Sequence, residues 1–125
     1  MNDNYHQSLL HLTHLLIGAD GNIDRTEVNA LKKIRQVEKI PDEIFKKFQQ
    51  LVKGKSEKEI YQTGMDLINK CSREEKLRTF ATLYKLSEVD GNVHVKEIRL
   101  LLYAIELAGI EFDDVVQAAG SASIL

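Results

Sequence analysis

Asp20-Gly21-Asn22-Ile23, followed by Glu27, Val28 and Leu31, and Asp90-Gly91-Asn92-Val93, followed by Glu97, Ile98 and Leu101, are two copies of one pattern at a constant offset of 70 residues. A constant offset over D-G-N-[IV]-x-x-x-E-[VI]-x-x-L indicates a repeated structural unit, so each copy can be read against the other. In both, a glycine-containing turn is followed by a carboxylate and then by apolar residues at helical spacing.

Working outward from the copies, the apolar period is helical almost everywhere. Leu9, Leu12 and Leu16, with Leu10 and Ile17 beside them, predict a first helix that stops near Gly18. Asp24 with Glu27 three residues later has capping-box spacing and opens a second helix, whose face is Val28, Leu31 and Ile34. Pro41, the only proline, closes that helix and opens a third, with Ile44, Phe48, Leu51 and Val52 as its stripe and Gly54 as its end. Ser56 with Glu59 and Ser72 with Glu75 open a fourth and a fifth helix.

The fourth helix carries Ile60, Gly64, Leu67, Ile68 and Cys71 on one face. Glycine costs about 1 kcal/mol in a helix interior, so Gly64 on the apolar side predicts a closely packed neighbour. Leu77, Phe80, Ala81 and Tyr84 form the face of the fifth. The sixth runs from about His94 to Ala108 and ends at Gly109, and a short seventh covers about Asp113 to Ala119, before a fraying Gly120-Ser121-Ala122-Ser123 tail. The expected fold is all-α: a single-domain bundle of about seven helices over residues 1–125, with an internal pseudo-twofold repeat of helix-turn-helix units at about 9–38 and 79–109. The second helix has Lys32 and Lys33 where the sixth has Leu102 and Tyr103, and Leu100 to Ile105 leaves almost no polar face. That run predicts a central sixth helix surrounded by the others, with a homodimer interface as the alternative.

Composition narrows the function classes. A length of 125 residues, 43% apolar and 29% charged, suits one globular domain with its own core. No run approaches the roughly 20 apolar residues of a membrane span, and Met1-Asn2-Asp3-Asn4 lacks the positive charge that opens a secretory leader, so a cytoplasmic location is expected. Cys71 is the only cysteine and reads as a core residue. The net charge of -2 divides unevenly, with +5 between Arg25 and Lys58 and -5 from Ser87 onward. Acidic residues interrupt the basic stretch, and its Phe45 and Phe48 are spaced as core positions, so nucleic acid is not the expected partner. With no phosphate loop, no H-E-x-x-H and no nucleophile in a recognisable setting, the chain is read as non-enzymatic.

Aligned on its glycine, the first turn matches the later half of an EF-hand loop, but Leu16 and Gly18, and Leu86 and Glu88 in the second copy, stand where the first two carboxylate ligands belong. An ordinary EF-hand is thereby rejected. Two readings of the acids remain. In one, Asp20 and Glu27 satisfy turn and helix-start backbone with no metal. In the other, Asp20, Asp24 and Glu27 converge on a divalent cation, and Asp90 and Glu97, with Glu88 or His94, do so in the second copy. Calcium, magnesium or zinc are the candidate ions. His94 is a poorer N-cap than Asp24, so capping alone explains the second copy less well. His11 and His14 can share a helix face as a metal pair, although His14 reads more simply as a boundary residue, and His6 is expected to be exposed.

The doubled signature, Ala19 or Val89 followed by Asp-Gly-Asn, an aliphatic residue and Glu four positions on, resembles the TerB family of tellurite-resistance proteins and TerB-like domains. The resemblance covers essentially the whole chain. It implies an all-α pseudo-symmetric fold, a cytoplasmic protein sometimes near the inner membrane, and acidic clusters for divalent metal, here Asp20, Asp24 and Glu27, then Asp90 and Glu97. His94 departs from the ideally acidic pattern. The implied role is a metal-binding module of a stress or tellurite-resistance system, with other proteins of a membrane-associated complex as partners. The alternative is a metal-independent adaptor in which the turns only cap helices.

Overall fold

The computed structural model describes residues 3–17, 25–89 and 95–121, which form seven α-helices with no strand among the described residues. These are α1 (Asp3–Ile17), α2 (Arg25–Glu38), α3 (Asp42–Val52), α4 (Glu57–Ile68), α5 (Arg73–Val89), α6 (Val95–Leu107) and α7 (Phe112–Ser121). One hydrophobic core draws residues from all seven.

The helix starts follow the capping chemistry. At α4 the Glu59 N–H donates to Ser56 Oγ at 3.2 Å. At α5 the box is reciprocal, with Glu75 N–H to Ser72 Oγ at 3.1 Å and Ser72 N–H to Glu75 Oε1 at 2.9 Å. Gly64 lies against α1, where an added Cβ would meet Leu12 Cδ2 at 3.2 Å and His11 Cβ at 3.3 Å, the close approach expected of a helical glycine on an apolar face. Consistent with it, α4 is the principal neighbour of α1.

The central helix is α1, not α6. Residues 5 to 13, 15 and 16 are all buried, and α1 touches α2, α3, α4, α5 and α6. By contrast Leu102, Tyr103 and Leu107 on α6 are 44%, 57% and 51% exposed. Periodicity misassigned the centre because α1 carries polar residues that the interior accepts by bonding them to backbone carbonyls. Ser8 Oγ donates to the Tyr5 carbonyl at 2.9 Å, Gln7 Nε2 to the Ile44 carbonyl at 2.9 Å, and His11 Nδ1 lies 2.6 Å from the Gln7 carbonyl. The helix also begins six positions before Leu9, which buries His6, expected at the surface.

Other apolar positions also differ from expectation. Val28 is 50% and Leu51 38% exposed, whereas the apolar stripes had placed both inward. Pro41 does not close α2. That helix ends at Glu38, and the following Lys39 adopts φ 52° and lets Ile40 N–H bond the Arg35 carbonyl at 3.0 Å, leaving Pro41 as the N-cap of α3. Gly109, 70 positions later, has φ 75° and sets the same bond from Ile110 to Ile105 at 3.2 Å. The repeat therefore extends beyond the expected units: α1, α2 and α3 correspond to α5, α6 and α7, and α4 joins the two halves.

Candidate functional site

Each repeated turn lies between two anchored helices. Leu16 and Leu86 are buried near the ends of α1 and α5, and Leu31 and Leu101 are buried in the helices that follow. Leu15, Leu16, Leu83, Leu100 and Leu101 line one small apolar space, so the later parts of α1 and α5 meet α6 there. Arg25 and Val95 are the first residues of α2 and α6, which puts Asp24 and His94 one position ahead of them in sequence and Glu27 and Glu97 third in each helix. Carboxylates in a first helical turn interact favourably with the helix dipole. Asp20, Asp24 and Asp90, with the side chains of Glu27 and Glu97, lie outside the described residues. The described residues contain no group of three or more His, Cys, Asp or Glu able to hold a metal, and His11 and His14 gather no third ligand among them.

Those two histidines instead take part in aromatic packing. Both present their rings edge-on to Phe48, at centroid distances of 5.4 and 6.0 Å. Burial, with the nearby His14, pushes the His11 pKa down against the opposing pull of the Gln7 carbonyl. His6 is likewise pushed down, chiefly by burial. Burial raises the Cys71 thiol, which makes it a poor nucleophile and fits its core placement.

A polar cluster sits where α1, α2 and α5 meet. Arg78 Nε donates to Glu38 Oε1 at 2.7 Å, and the Glu38 side chain is only 5% exposed. The Tyr5 hydroxyl faces the same pair, and burial followed by the Glu38 charge raises its pKa. Two residues earlier, Lys76 Nζ donates to the Ala108 carbonyl at 3.2 Å. Helix α5 thus holds the C-terminal ends of both α2 and α6 with cations, where the helix dipole favours positive charge.

A second feature was not foreseen from the sequence: a groove of about 800 Å³ bordered by α2, α3 and the start of α4. Val28, Phe45, Phe48 and Val52 supply apolar lining, while Lys32, Lys53 and Lys55 supply ammonium groups. Arg35 pairs with Asp42 and lies over the Phe45 ring at 4.3 Å, which fixes the edge of the groove. The signal in the sequence was the coincidence of Phe45 and Phe48 with a lysine-rich stretch, but each alone reads as core or as solvated surface.

Residues 6–119 match the family described as "Tellurite resistance protein TerB". No curated protein and no solved structure matches the chain. None of the described helices is long and apolar enough to cross a membrane. With the family pattern spanning α1 to α7, the chain belongs to the TerB family.

Proposed function

We propose that this TerB-family chain is a non-enzymatic, divalent-cation-responsive module of a cytoplasmic stress or tellurite-resistance system. The observation that carries this reading is the recurrence of Asp-Gly-Asn with a glutamate in the first turn of the following helix, at an offset of 70 residues. Hard oxygen donors clustered at a turn suit calcium or magnesium, and zinc is accommodated where His94 joins the set. Asp20, Asp24 and Glu27 are the proposed ligands of the first turn, and Asp90 and Glu97 those of the second. Thermal unfolding of metal-stripped protein tests the proposal, because an ion that prefers the folded state raises its melting temperature. The expected result is a rise with at least one of calcium, magnesium, manganese and zinc that is lost in Asp20→Asn or Asp90→Asn. No rise with any ion would leave the turns as helix caps.

A second reading is an interaction module, and the groove together with the exposed apolar residues of α6 favours it. Its partners are other proteins, including a second copy of the chain. The two readings are compatible, since the turns and the groove use different residues.

A further inference from the structure

The repeat supplies an internal control for what α6 needs in order to fold. Lys32 and Lys33 on α2 occupy the positions of Leu102 and Tyr103 on α6, and all four are exposed. Around them the inward positions agree: Leu31 with Leu101, Ile34 with Ala104, and Ile40 with Ile110 are buried in both halves. The fold therefore does not require apolar side chains at 102 and 103. Leu102, Tyr103 and Leu107 nevertheless expose apolar surface, with the carboxylate of Glu106 among them. Exposed apolar residues gathered on one helix face mark an interaction surface.

The groove has the complementary chemistry. Val28, half exposed, and the Phe45 and Val52 side chains give it an apolar floor, and Lys32, Lys53 and Lys55 stand around it. It belongs to the stretch of net charge +5, and α6 belongs to the stretch of net charge -5. An amphipathic helix laid into an apolar groove is a recurring mode of recognition, and opposite charge around it sets orientation.

We propose that the α2–α3 groove receives the outward face of α6 from a second copy of this chain, with Leu102 and Tyr103 toward the floor and Glu106 toward the lysines. Groove and helix face are different patches on different halves, so the contact is head-to-tail, and an open dimer keeps a free groove on one copy and a free α6 face on the other unless a ring closes. This inference rests on the interaction reading above.

Light scattering and sedimentation of the full chain at low and high salt test it. Wild type should associate with rising concentration, less so as salt screens the charges. Leu102→Lys/Tyr103→Lys, which copies the α2 pattern, and Val28→Glu/Lys32→Glu should each weaken association by at least about tenfold, as loss of central interface contacts does. Each variant retains the surface the other lacks, so a mixture should form a one-to-one heterodimer that neither forms alone. Glu106→Lys, at another exposed position, should also weaken association, and circular dichroism checks that each variant is folded.

A wild type that stays monomeric at low salt overturns the proposal. So does an α6 variant that is monomeric beside a groove variant that still dimerises, which would indicate an α6-to-α6 contact, and so does failure of the mixture to form a heterodimer. The broader interaction reading falls separately, if neither variant changes which added proteins the immobilised chain retains.

Discussion

At the 70-residue offset, α1–α3 and α5–α7 bury matching positions but close differently around them. Leu10 with Phe80, His11 with Ala81, Thr13 with Leu83 and Leu16 with Leu86 are buried pairs, and Val28 with Ile98 is an exposed pair. The third helices differ. On α7, Ala119 packs with Ala81 and Ala118 lies beside them, so small side chains let α7 lie close along α5. On α3, Phe48 meets the ring of His11, the residue equivalent to Ala81, and α3 lies less closely along α1. Helix separation follows side-chain size at the contact. One backbone plan thus yields a closed half and an open half, and the groove belongs to the open one.

The largest expected effect comes from breaking the aromatic contact that supports the open half. Phe48→Ala should cost about 3–5 kcal/mol, as full truncation of a buried aromatic does, read from the urea unfolding midpoint. A loss below about 1 kcal/mol would mean that α3 needs no such support.

Next is the pair of cations on α5. Arg78→Ala leaves the nearly buried Glu38 without its counter-ion and should cost about 3 kcal/mol. Lys76→Ala removes one hydrogen bond to a carbonyl at the corresponding end of α6 and should cost about 1 kcal/mol or less. Equal losses would show that the two halves are held alike.

The histidines of α1 sharpen the comparison through pH, because α5 has no histidine at their equivalents. Burial holds His6 and His11 below the ordinary value of 6.5, so the unfolded chain binds more protons just below that pH. Their contribution is fully present above 6.5 and is lost as pH falls toward their folded-state values. Chemical denaturation across this range should show stability falling with acidification, and His11→Gln should flatten the fall. An unchanged slope would mean that His11 does not contribute.

The smallest expected effects test the matched helix ends. Lys39 pays for a left-handed conformation that Gly109 adopts freely, so Lys39→Gly should stabilise by about 0.5–1 kcal/mol and Gly109→Ala should destabilise by about 1 kcal/mol. Changes of the opposite sign in thermal melts would separate the two ends.

Local rules carried most of the fold. Ser56 and Ser72 marked helix starts because their partners lie three residues away, and Gly64 marked a close contact because a helix interior tolerates glycine poorly without one. Long-range placement was less legible. Leu100 to Ile105 is more apolar than any stretch of equal length on α1, yet α1 is central because Gln7, Ser8 and His11 bond to backbone carbonyls rather than to water. The groove was hidden for a related reason: it depends on the distance between α2 and α3, which no spacing within either helix encodes. Glu27 and Glu97 could be placed in first helical turns from sequence, while the convergence of their carboxylates with Asp20 and Asp90 depends on turns outside the described residues.

Counting bound ions by native mass spectrometry, on metal-stripped protein titrated in turn with calcium, magnesium, manganese and zinc, is the most direct test of the role proposed for the two turns. The account predicts one ion that Asp20→Asn abolishes and a weaker second that Asp90→Asn abolishes, the difference following from Asp24 in the first turn and His94 in the second. Absence of any bound ion in wild type, or the same ion count in both variants as in wild type, would contradict metal binding at the repeated turns.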